Sequence, residues 1–277
     1  MARSASSSAT DRAGIGPAGR MLIRSSAWLV LIVLLVPLAI LIGASFSASD
    51  YVHFPPQGFS LAWYGRFFAD PIFLNSLVLS GEIALAASAL ATILGFPAAY
   101  VLIRKKFPGR TVAWNAFLSP LLVPQIVLGV ALLQFFSALG IATSFIGLLA
   151  AHVVAVMPYV VRTVGATLLS VDVSVEEAAA DLGASQLEVL VLVVAPMIKA
   201  GVLAGSLFAF IMSWVNVEIS IFLSVTGGYT LPVVLFNFME YSITTVVVAA
   251  ASIAIYVAIV LVLVVDRVVG IHAASKL

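Results

Sequence analysis

Residues 174–186 read SVEEAAADLGASQ, an acidic, alanine-rich stretch with a glycine near its end, set between long apolar runs. Ser174 followed by Glu177 predicts a capping box, in which each side chain satisfies a backbone N–H of the first helical turn. Gly183 predicts the end of that helix, because glycine takes the left-handed backbone that closes one. Ser185 followed by Glu188 repeats the capping box, and Pro196 stands where a membrane helix can begin. The segment therefore reads as a short surface helix, a turn and a second helix leading to the membrane. Interfacial helices that lie on anionic lipid carry Lys and Arg on their polar face. This one carries Glu176, Glu177, Asp181 and Glu188. A basic protein partner suits it better than a lipid surface.

The flanking sequence fixes the setting. Of the 277 residues, 63% are hydrophobic and 9% charged, and the mean hydropathy is +1.21. Soluble domains carry roughly a quarter of their residues as Asp, Glu, Lys or Arg. Long apolar runs predict spans near 27–44, 72–102, 113–138, 145–167, 197–224 and 244–266, giving an all-α integral membrane protein with six transmembrane helices. The runs lack the apolar–polar alternation of barrel strands. Residues 1–24, rich in Ser, Ala and Arg, read as a disordered tail, and 25–277 as the transmembrane domain. The first apolar run is longer than a signal-peptide core, so a retained helix is expected. Residues 46–70, with Pro55, Pro56 and Gly58, read as an extramembrane loop.

Orientation follows from the basic residues. Twelve of the thirteen fall on one side of this map, and Arg66 alone on the other. Six spans with both termini and the 170–195 segment in the cytoplasm satisfy that bias. The net charge of +1 comes from residues scattered over membrane-flanking loops and gives no sign of a nucleic-acid partner. The chain has no cysteine, and its three histidines are far apart, so no local metal motif exists.

Ionisable residues inside a membrane are costly and are functional candidates. Glu82 lies in the second predicted span, His152 in the fourth, and Asn216 and Glu218 in the fifth. Ser206, Ser213, Asn216, Ser220 and Ser224 recur at helical spacing and predict one polar stripe along the fifth span. Glu218, two residues from both Asn216 and Ser220, would point roughly 200° away on a straight helix. The stripe is accordingly assigned to the solute pathway and Glu218 to a helix interface or membrane boundary. His152 reads as an interhelical hydrogen-bonding group that also borders the pathway. Gly201 and Gly205 predict close helix packing. Trp63, Tyr64 and Trp114 read as interfacial anchors.

Glu177-Ala178-Ala179, three residues, Gly183 and then Pro196 resemble the EAA loop of type I ABC importer permeases. Val193 keeps the aliphatic residue three before the proline, whereas Ala195 stands where that family has leucine. The likeness runs from about residue 75 to residue 266. It implies that Glu176, Glu177, Ala178, Ala179, Asp181, Gly183 and Pro196 form a coupling loop docked on a cytoplasmic ABC ATPase dimer. It also implies a bacterial plasma membrane, a second, sibling permease and an extracytoplasmic solute-binding protein. None of the four lysines stands in a Gly-Lys-Ser/Thr phosphate loop. ATP and Mg are therefore expected on the ATPase, with no cofactor on this chain. Residues 213–237 resemble the second permease of spermidine/putrescine importers, although Val215 and Asn216 replace that subfamily's usual pair of acidic residues. Related permeases for opines, aminophosphonates, ferric iron or thiamine fit as well. The competing class is an ion-coupled secondary transporter that uses Glu82 and Glu218 as proton sites.

Overall fold

The computed structural model describes residues 16–241 and 244–269, and these are mostly helical. Helix α1 spans Pro17–Ala44, α2 Ala62–Ala69, α3 Pro71–Arg104, α4 Arg110–Leu118, α5 Gln125–Ala138 and α6 Phe145–Leu168. Helix α7 spans Val173–Asp181 and α8 Gln186–Met197. They are followed by α9 (Lys199–Trp214), α10 (Leu231–Tyr241) and α11 (Thr245–Val269). Four of these helices are long and apolar enough to cross a bilayer singly, and two bent pairs bring the count of candidate spans to six. Of the tail expected over 1–24, residues 1–15 lie outside the described residues, and from Pro17 onward the chain is already helical. Proline at the first helical position suits that start, since its missing N–H has no partner there anyway.

Helices α3, α6 and α9 form the centre. Ala87, Ala91 and Ala99 of α3, Val156, Val160 and Val164 of α6, and Ala209 of α9 are buried together. Lipid offers no hydrophobic drive between helices, so close approach of backbones must supply the packing energy. A Cβ on Gly95 would stand 3.1 Å from Val160 Cγ1. One on Gly201 would overlap the Thr167 hydroxyl, and one on Gly205 would come within 3.2 Å of Val160 Cα. The close-packing role expected of Gly201 and Gly205 is what these contacts describe.

Two of the predicted spans are not straight rods. The third breaks at Leu122–Pro124, where a proline removes a helical donor, and its two parts diverge by 106°. The fifth bends by 81° between α8 and α9, with α9 beginning at Lys199, just past Pro196. The helix expected to run to residue 224 ends at Trp214, after which residues 215–224 form turns. The following loop contains α10, a short helix that no strong sequence signal announces.

The loop after α1 is also more ordered than its prolines suggest. Trp63 is buried and its Nε1 donates to Ser47 O at 2.8 Å. Tyr64 OH lies 2.7 Å from Ser45 Oγ, and Thr245 Oγ1 donates to Ser49 O at 2.8 Å. These bonds tie the end of α1 to α2 and to the start of α11. Arg66 caps the same layer, with its guanidinium 4.4 Å over the Trp63 ring and 3.8 Å from Asp50.

Candidate functional site

The acidic helix α7 starts two residues earlier than expected from Ser174. Asp172 is its N-cap, with Oδ1 accepting the Ser174 N–H at 3.0 Å. Ser174 therefore lies inside the helix, and the capping box expected with Glu177 does not form there. The bond from Ser174 holds the exposed Asp172 carboxyl below its ordinary value of 3.8. Gly183 ends the segment with φ +91°. Ser185 then caps α8 through a complete capping box: its Oγ accepts Glu188 N–H, and Glu188 Oε2 accepts Ser185 N–H at 2.7 Å. The Ser185 hydrogen bonds lower the Glu188 carboxyl below its usual 4.5.

Within α7 the two glutamates part. Glu177, Ala178 and Asp181 are exposed and Ala179 is half-buried, while Glu176 is buried. Tyr100 OH donates to Glu176 Oε2 at 2.8 Å, and Arg104 Nε donates to Glu176 Oε1 at 2.8 Å. Arg104 Nη2 donates to Val171 O, also at 2.8 Å. The acidic face offered outward is thus Glu177 and Asp181, with Glu188 beyond the turn; Glu176 is turned to the protein interior. Leu182 beside them is 90% exposed, an apolar side chain on a polar loop that residue type alone did not single out. Pro196 is exposed at the far end of α8.

A second arrangement lies among the spans. Because α9 stops at Trp214, Asn216 and Glu218 reach one cavity of about 170 Å³, which they share with Gln125, Tyr159 and Met212. This corrects the reading that set Glu218 apart from the Asn216 stripe: the opposing directions hold on a helix, and there is no helix at 215–224. Glu218 is exposed rather than buried at an interface. Gly129 lets α5 lie against this segment, for a Cβ there would meet Phe222 Cδ2 at 2.8 Å and Glu218 O at 3.0 Å. Gln125 Oε1 is buried against the cavity without a hydrogen-bond partner. Gln125 and Tyr159 were not foreseen; the helix break at Pro124 was the available signal.

His152 braces the wall of this cavity. Its Nδ1 lies 2.7 Å from Ser213 Oγ and its Nε2 3.0 Å from Ser220 Oγ. Ser220 Oγ also donates to Asn216 O at 2.9 Å, and Asn216 Oδ1 accepts Ile219 N–H. The histidine joins α6, the end of α9 and the turn segment through both ring nitrogens. Glu82, by contrast, faces outward from α3 and does not line the cavity. Among the described residues no three His, Asp or Glu converge as metal ligands.

A bundle of candidate membrane spans, with a cavity bordered by Gln125, Asn216 and Glu218 and an ordered acidic loop, is the frame of a transport permease. The chain belongs to the family of binding-protein-dependent transport system inner membrane components, whose pattern matches residues 91–275. It is 34% identical over 229 residues to the spermidine/putrescine transport system permease protein PotC of Haemophilus influenzae, covering 83% of this chain and 89% of that one. It is 33% identical over 240 residues to the putrescine transport system permease protein PotI of Escherichia coli, covering 82% and 85%. In three dimensions it resembles a chain of a bacterial ABC transporter involved in the import of alginate. That likeness has a TM-score of 0.63 at 21% identity, over 92% of this chain and 98% of the other. The chain is therefore a multi-pass inner-membrane permease subunit of a binding-protein-dependent importer, not an enzyme. The ion-coupled alternative gives way to that family.

Proposed function

We propose that this permease is one of two unlike subunits in an ATP-driven importer of polyamine-like cations. A solute-binding protein outside delivers the cargo, and a cytoplasmic ATPase dimer carrying ATP and Mg docks on α7. Both termini and the acidic loop face the cytoplasm, as the basic-residue bias implies. The cavity of Asn216 and Glu218 carries the reading of the cargo. Glu218 supplies a carboxylate for an ammonium group, Tyr159 a ring and hydroxyl, and Asn216 and Gln125 amide oxygens for N–H donors. One carboxylate, where the resembled subfamily usually has an acidic pair, matches a single ammonium at a time. The names of the relatives, spermidine/putrescine and putrescine transporters, support the same cargo class.

The test is reconstitution in liposomes with the cognate ATPase, sibling permease and binding protein. ATP-dependent accumulation of labelled putrescine or spermidine is expected, with no accumulation of a neutral disaccharide. Uptake of the disaccharide without the amines would overturn the cargo. Single cysteines at Ser49 and Ser185 of this cysteine-free chain should label from opposite sides of the membrane, Ser185→Cys from the cytoplasm. Labelling of Ser185→Cys from outside intact cells would overturn the orientation.

A further inference from the structure

The α3 partners of Glu176, Tyr100 and Arg104, are not among the residues the family likeness assigns. Tyr100 and Arg104 are four residues apart, hence one above the other on a single face of α3. Between them they take both oxygens of Glu176, while the remaining guanidinium arm reaches the Val171 carbonyl just before α7 starts. The Arg104 and Glu176 side chains are 9% and 8% exposed. This is a shielded ion pair, not a surface one, and its geometry is fixed from two directions. A recess of about 260 Å³ opens beside it, bordered by Lys105, Glu177, Ala184 and Gln186.

We infer that Arg104 is a positioning residue for energy coupling: through Glu176 and the Val171 carbonyl it sets the rotation of α7 about its own axis and joins that helix to the membrane span α3. Successive residues on a helix point about 100° apart. With Glu176 held inward, Glu177 and Asp181 must face out. The same joint makes any displacement of α7 a displacement of the end of α3, which packs against α6 and α9 in the centre of the bundle. This inference rests on the proposal that α7 docks on the ATPase.

The experiment uses the full importer in liposomes and reads three quantities: assembled complex, ATP hydrolysed and cargo accumulated. Removing one partner of a buried ion pair leaves an uncompensated charge, whereas neutralising both avoids that fault. The informative variant is therefore the double change Arg104→Gln with Glu176→Gln. It should assemble and hydrolyse ATP while the cargo moved per ATP falls roughly two- to thirty-fold, the range that coupling residues remote from a ligand command. Arg104→Lys keeps the charge but cannot reach Glu176 and Val171 together in a fork; it should assemble and show a smaller fall. An unchanged ratio in both variants would overturn the inference, and loss of assembly in both would make the pair a folding requirement instead. Glu177→Ala separates this from the docking proposal. If that variant binds and stimulates the ATPase normally, docking through this face is wrong. If it fails to bind while the Arg104 variants keep their ratio, only the role of Arg104 is lost.

Discussion

Asn216 and Glu218 face the same cavity from a stretch of turns that begins where α9 ends at Trp214. Their proximity gives the cavity, the solute pathway of the proposed function, both an amide and a carboxyl group within two residues. For a cationic cargo the charge should dominate. Glu218→Gln keeps volume and hydrogen bonding and should lower amine uptake more than Asn216→Leu, because it alone removes the charge that an ammonium group would meet. Uptake normalised to assembled complex measures both variants. The opposite order would assign the pathway to neutral cargo.

His152 is 2% exposed and engages Ser213 and Ser220 through its two nitrogens. His152→Leu preserves bulk but removes both bonds. Interhelical bonds of this kind in membranes contribute roughly 0.6–1.7 kcal/mol each. The variant should therefore melt earlier in detergent and lose transport in part, through slackening of the Asn216 segment. Thermal unfolding followed by tryptophan fluorescence checks it; an unchanged midpoint would mean that the histidine braces nothing.

Gly183 sits at φ +91°, with open space where a Cβ would go. Any penalty there is one of backbone rather than crowding. Gly183→Asn should be nearly silent, because asparagine tolerates the left-handed region, while Gly183→Val should cost about 1–3 kcal/mol of local order. Membrane insertion should survive in both. ATPase association measured by co-purification should fall for valine alone.

Gly201 presents the reverse case, a glycine required by a neighbour. Gly201→Ala brings a methyl onto Thr167 and should separate α9 from α6, lowering both stability and yield. Gly81→Ala on α3 meets nothing within 4 Å and should be neutral or stabilising by up to about 1 kcal/mol. Thermal melting of the two variants side by side decides whether proximity, and not glycine loss itself, sets the cost.

The spans with uninterrupted apolar runs were legible almost to the residue: 72–102 against Pro71–Arg104, and 145–167 against Phe145–Leu168. Composition suffices there because a bilayer demands length and apolarity and little else. Breaks were not legible. Apolar residues flank Pro124 on both sides, and Asn216, Ser220 and Ser224 fit a helical stripe as well as a run of turns, so hydropathy carries no mark of where hydrogen bonding stops. The polar stripe of Ser213, Asn216 and Ser220 is real as a cluster, but a histidine gathers it rather than helical periodicity. The acidic loop was legible in outline through Gly183 and Ser185–Glu188. The inward turn of Glu176 was not, because its partners Tyr100 and Arg104 lie more than seventy positions away, beyond the reach of local spacing.

The 81° angle between α8 and α9 makes a bell crank of this part of the chain. If α9 stands across the bilayer, α8 lies close to its plane, and Ile198 is the pivot. Pressure applied sideways to the short arm becomes a swing of the long one, whose tip carries Ser213 and the cavity wall. A movement of a few ångströms at the surface would thus reach the interior as rotation, with no helix needing to slide along its own axis.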